Sequence, residues 1–106
     1  MSVQKSADFI ADVERQFEWY CNNAGSDIAE RYLAAVEATS QLLSQHPLLG
    51  PQATFTHPRL RHWRFFVVFH PFKKHILFYE TTAEQVIMRR AMHGHRNLPK
   101  RVLQPP

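Results

Sequence analysis

Residues 63–92 read WRFFVVFHPFKKHILFYETTAEQVIMRRAM, and this stretch decides the fold. Trp63 to Phe69 is a β-branched and aromatic run with the composition of a strand. Pro71-Phe72-Lys73 turns the chain. His75 to Glu80 forms a second strand and Val86 to Met92 a third, joined by the polar turn Thr81–Glu84. Connections this short predict an antiparallel meander.

Upstream the period changes from two to between three and four. Ser6 is a fitting N-cap and Asp8 suits the first turn of a helix, where the dipole favours negative charge. Phe9, Val13, Phe17 and Tyr20 then mark one apolar face, up to the stop at Asn22-Asn23-Ala24-Gly25. Ser26 or Asp27 caps a second helix whose buried face is Ile28, Tyr32, Val36, Thr39 and Leu43. His46-Pro47 ends it, because the residue before proline avoids the α region. Residues 52–60 show no steady pattern and are read as a loop with room for a short strand. Two helices followed by three strands predict an α+β fold: an N-terminal α-hairpin packed on a C-terminal antiparallel β-meander. Residues 1–5 are available as a short preceding edge strand. We expect one domain over residues 1–106, with 94–106 as an exposed basic tail. In the core, Phe17, Val36 and Leu43 should meet Val67 or its neighbours.

A chain of 106 residues with 44% hydrophobic content buries one sizeable core. The formal charge of +4 and pI near 9.6 favour an acidic partner, which nucleic acid, an acidic protein segment or a membrane surface would each satisfy. Cys21 is the single cysteine, so no internal disulfide forms. No apolar run reaches the roughly 18 residues of a membrane span, and Met1 to Lys5 lacks the apolar stretch of a signal peptide. The expected location is therefore cytoplasmic, with no membrane partner.

The chemistry-bearing residues are concentrated downstream. No phosphate-binding loop, dinucleotide fingerprint or nucleophile elbow occurs. His93 and His95 lie close together but without an acidic or cysteine ligand, so neither a metal nor another cofactor is expected. Asp12, Glu14 and Glu18 read as a solvated helix face. Basic residues such as Arg59, Arg61, Arg64, Arg89, Arg90, Arg96 and Arg101 interleave with aromatics, most of which belong to the sheet core. Arg89 and Arg90 are adjacent and so point to opposite faces of a sheet. With helices on one face, one of the two must lie near the core, where a guanidinium needs partners. Arg90 and His93 are open to two readings: contact with a target, or hydrogen bonds that tie the tail to the sheet.

The segment Ile87-Met88-Arg89-Arg90-Ala91-Met92-His93-Gly94-His95-Arg96-Asn97-Leu98-Pro99, after helix, helix and strands, resembles ParE-type toxins of the RelE/ParE toxin–antitoxin superfamily. Arg90, Ala91, Met92, His93, Gly94, Arg96, Leu98 and Pro99 fill that family's pattern, while Asn97 stands where aspartate is usual. Ala29-Glu30-Arg31-Tyr32-Leu33, His46-Pro47-Leu48-Leu49-Gly50, Pro58-Arg59-Leu60-Arg61 and His75-Ile76-Leu77-Phe78-Tyr79 match it further. The resemblance implies a toxin neutralised by a cognate antitoxin protein, with DNA gyrase as target. It leaves two alternatives: a metal-independent endonuclease that cuts mRNA on the ribosome, or a diverged toxin that retains only antitoxin binding. It implies target or antitoxin contacts at Arg61, His75, Tyr79, Arg90, His93 and Arg96. A nuclease would draw on Arg61, Arg64, Arg90 and His93, yet Gly94 stands where that branch carries an aromatic residue.

Overall fold

The computed structural model describes residues 1–94 and 98–106. Strand β1 (Ser2–Lys5) leads into helices α1 (Ala7–Asn23) and α2 (Ser26–Gln45). A 3-10 turn (Pro58–Leu60) precedes β2 (Arg64–Val67), β3 (His75–Thr81) and β4 (Gln85–His93), and α3 (Leu98–Leu103) follows. The Ser6 hydroxyl accepts from the Phe9 amide and so caps α1. The N-cap of α2 is Gly25, in the left-handed region at φ 96°, rather than a side-chain cap from Ser26 or Asp27.

The expected meander is present: β2 pairs antiparallel with β3, and β3 with β4. Residues 2–5 do supply an edge strand, and it lies parallel to β4, so the sheet is mixed with order β1-β4-β3-β2. Inside the loop over 52–60 stand an isolated bridge from Gln52 to Arg64 and the 3-10 turn.

Alternation along β3 divides the core in two. Leu77 and Tyr79 face the helices with Phe9, Tyr32, Val36 and Leu43. Ile76 and Phe78 face the other way and meet Leu60, Trp63, Met92 and Val102. The second sheet face is thus covered by the segment around Leu60 and by α3. Of the tail expected to be exposed, Pro99, Lys100 and residues 104–106 are exposed, while one face of α3 packs on this cluster. Val102 is 4% exposed, and Leu98 and Leu103 pack against the same cluster. The tail folds back because its Leu98, Val102 and Leu103 form an apolar stripe at spacings of one and four.

One detail of the predicted core shifts. Val36 and Leu43 are buried against Val68, the neighbour of Val67 just beyond β2, but Phe17 is only half-buried. The face of α1 that meets the sheet runs through Phe9, Asp12, Val13, Gln16 and Tyr20. Asp12 is fully buried, so it is not part of a solvated acidic face.

Candidate functional site

Beyond the pairing of Lys5 with Met88, β1 ends and leaves one edge of β4 open. An open edge exposes backbone groups that need partners. Side chains of α1 supply them. The Asp12 carboxylate accepts from the Ala91 amide at 2.9 Å, and the Gln16 amide nitrogen donates to the Ala91 carbonyl at 2.9 Å. A register shift opposite Phe78/Tyr79 switches the alternation of β4, so Val86 and Met88 face the helices before it and Ala91 after it.

Arg90 sits at this edge, 2% exposed. Its Nε and Nη2 donate to the two oxygens of Asp12 at 2.7 and 2.9 Å, a bidentate pair. Its Nη1 donates to the Val102 carbonyl at 3.0 Å and also to the Gln104 carbonyl. One guanidinium therefore clamps α1, β4 and the tail together. Arg89 points outward to Glu80 at 2.6 Å, so the two adjacent arginines do divide between interior and surface. Of the two roles read for Arg90 in the sequence, tying the tail to the sheet is the one its hydrogen bonds perform.

Other sequence-derived candidates also hold the fold. Tyr79 is fully buried; its hydroxyl donates to the Pro47 carbonyl at 2.8 Å and accepts from the Gly50 amide at 2.9 Å. Burial pushes the Tyr79 hydroxyl above its usual pKa. Arg64 donates to the Gly50 carbonyl at 2.7 Å. Together they pin the loop that follows α2. Arg61 is exposed at the end of the 3-10 turn. Arg96 lies outside the described residues, as does His95.

His75 and His93 do come together. They are opposite each other in the β3–β4 register, with ring centroids 4.7 Å apart. His75 is 3% exposed and packs among Tyr20, Tyr32 and Phe72. Its Nε2 shares a 2.8 Å hydrogen bond with the Tyr20 hydroxyl, and its Nδ1 has no partner. Burial, reinforced by His93, pulls the His75 pKa down to about 4, so this ring is neutral at physiological pH. His93 is exposed.

Both histidines line a cavity of about 390 Å³ between α1 and the end of β4. Arg15, Gln16, Trp19 and Tyr20 of α1 form one side, and Met92 and Arg101 contribute from the other. Neither Arg61, Arg64 nor Arg90 reaches it. Arg101 also donates to the His93 carbonyl at 2.6 Å. Among the described residues no group of three or more His, Cys, Asp or Glu could hold a metal ion.

Sequence reasoning missed Asp12, Arg15 and Trp19, and saw Arg101 only as charge in the tail. Asp12 carried a signal: it lies three residues after Phe9 and one before Val13, on the apolar face, and a core arginine requires an acid. Arg15, Trp19 and Arg101 meet only because α1 passes the end of β4 and the tail returns to it, which no local pattern announces.

No curated protein matches the chain in sequence. A solved structure described as the chromosomal ParDE TA system from P. aeruginosa superposes with a TM-score of 0.73 at 14% identity, over 90% of this chain and 97% of that one, a likeness of fold. The family model of the ParE toxin of type II toxin-antitoxin system, parDE, matches residues 3–98, and the chain belongs to that family.

Proposed function

We propose that the chain inhibits growth by binding a protein target, DNA gyrase, and that a cognate antitoxin neutralises it by binding the same small domain. The observation that carries this reading is the fate of the arginines. Cleavage of RNA next to a ribose hydroxyl requires a base and cations placed around one phosphate. Arg90 is spent on Asp12 and two tail carbonyls, and Arg64 on the Gly50 carbonyl. His93 shares its cavity with neither, nor with Arg61. With Arg90 and Arg64 engaged in the scaffold and Arg61 away from His93, the residues read for a nuclease do not converge on one phosphate, which favours surface recognition over phosphoryl transfer.

The test is to add the purified chain to a gyrase supercoiling reaction, and separately to a translating extract followed by primer extension on the mRNA. Loss of supercoiling with intact mRNA is the expected result. Specific mRNA cleavage with normal supercoiling overturns it in favour of the endonuclease. Growth inhibition with neither effect points to another target, and antitoxin binding with neither effect and no growth inhibition identifies a diverged toxin.

A further inference from the structure

Strand β2 is the outer strand of the sheet, at the opposite edge from β1, and the chain around it carries cations without acids. No Asp or Glu stands between Glu37 and Glu80, while Arg59, Arg61, Arg64, Lys73 and Lys74 all lie in that span. Arg64 is used inside the fold, on the Gly50 carbonyl. The other four are exposed, and none of them makes an ion pair among the described residues. They stand as two pairs in tight turns. Arg59 and Arg61 flank Leu60 in the 3-10 turn, where the Leu60 amide donates to the His57 carbonyl at 2.9 Å. Lys73 and Lys74 lie in the β2–β3 connection, held by the Phe72 amide on the Phe69 carbonyl at 2.9 Å and the His75 amide on the Phe72 carbonyl at 3.0 Å. The four residues of β2 alone put about 13 Å of strand between the pairs.

Beside β2, on the sheet face that α3 also covers, lies an apolar cavity of about 220 Å³. Phe55 and Phe65 form its walls over the buried Phe78, with ring centroids 5.6 and 6.3 Å from that ring. Thr54, which is exposed, brings a hydroxyl to the rim. We propose that this edge binds single-stranded nucleic acid, with phosphates on Arg59, Arg61, Lys73 and Lys74 and one base in the Phe55–Phe65 cavity. Cations spread along an edge match a chain of repeated phosphates, whereas one carboxylate reaches only one pair. Aromatic walls accept the flat face of a base, and the Thr54 hydroxyl can meet its polar edge. A duplex keeps its bases stacked inside and leaves the cavity unused. An acidic peptide brings charge but no base to stack. The inference goes beyond the growth-inhibiting contact proposed above and requires no strand cleavage.

The experiment measures fluorescence anisotropy of a labelled single-stranded oligothymidine of twelve nucleotides with the full-length chain. This probe lacks the ribose 2′-hydroxyl, so binding is read without cleavage. Four phosphate contacts predict that log K falls against log salt with a slope of about −3. Lys73→Gln with Lys74→Gln should make that slope shallower by about 1.4. Arg15→Gln with Arg31→Gln removes equal charge from the two long helices and should leave the slope in place. Phe55→Leu should weaken binding about tenfold at an unchanged slope, and Phe55→Tyr, which keeps the ring, should bind like the parent. Thermal melts check that each variant is folded. The proposal is overturned by absence of saturable binding, or by equal slope changes in the lysine and helix variants, which would mean diffuse attraction to a basic protein. Binding of a duplex of the same length as tightly as the single strand overturns it, as does parent-like binding by Phe55→Leu. Displacement of the oligonucleotide by polyglutamate of equal charge overturns it in favour of an acidic protein segment.

Discussion

Replacing Arg90 with methionine keeps much of the apolar stem and removes the guanidinium. The Asp12 carboxylate then stays fully buried with the Ala91 amide at 2.9 Å and Arg15 at 3.4 Å as its remaining donors. Removing one member of a buried pair costs roughly 3–5 kcal/mol, chiefly from the stranded charge. The Val102 and Gln104 carbonyls also lose their donor, but the tail end can lift and let water replace it. We therefore expect a loss of about 4 kcal/mol, against a typical total of about 5–15 kcal/mol for a domain. For a domain of this size that corresponds to a fall in Tm of roughly 15–30 °C. Asp12→Asn strands the opposite charge and should cost a similar amount. The double variant Asp12→Asn with Arg90→Met removes both charges and should lose less than the sum, by about 2–3 kcal/mol. Urea unfolding followed by circular dichroism measures all four proteins, with unchanged slopes confirming that the same transition is compared. Single variants within about 1 kcal/mol of the parent, or additive losses in the double variant, would refute the claim that this pair clamps the fold.

Four further outcomes follow from the same geometry. Tyr79→Phe orphans the Pro47 carbonyl and the Gly50 amide and should cost about 1–3 kcal/mol in urea unfolding. Gly50→Ala drives a methyl into the Phe65 carbonyl oxygen and places it 2.7 Å from the Tyr79 hydroxyl, and should lose about 3 kcal/mol. His75 has a folded pKa of about 4 against 6.5 unfolded, so its stabilising contribution is complete above pH 6.5 and is lost as pH falls towards 4, amounting to about 3 kcal/mol. Stability measured from pH 7 to 4 should fall more steeply for the parent than for His75→Gln, and parallel curves would contradict the assignment. Deleting residues 98–106 uncovers Leu60, Trp63 and Met92 and should shift Trp63 emission to the red and reduce solubility; an unchanged spectrum would mean that α3 does not cover them.

The strands and both long helices were legible because each announces itself by period. Val36 and Leu43 recur at helical spacing, and the run from His75 to Tyr79 is apolar on both faces because helices cover one side of β3 and α3 the other. The parallel pairing of β1 was not legible, because four residues separated from β4 by the whole α-hairpin carry no register signal of their own. The return of the tail was hidden for another reason. Lys100 and Arg101 dominate its composition, and only the positions of Leu98, Val102 and Leu103 show that one face of so basic a segment is apolar.

The same tail explains why a motif that identifies the family does not locate its activity. Arg90 and Leu98 fill the pattern by which the chain resembles ParE-type toxins, yet Arg90 is buried against Asp12 and Leu98 packs on the second core. In this chain the Arg90 guanidinium bridges α1, β4 and the carbonyls of Val102 and Gln104. Arg90 and Leu98 mark the scaffold, and function on a shared scaffold resides in what it displays. Apart from His93, the side chains exposed around the cavity, Arg15 and Trp19 above all, stand outside that pattern. Exchanging Arg90 therefore tests folding, whereas exchanging Arg15 leaves the two bonds between Arg90 and Asp12 in place. The two kinds of residue lie three positions apart on α1, where Asp12 faces inward to Arg90 and Arg15 faces outward to the cavity.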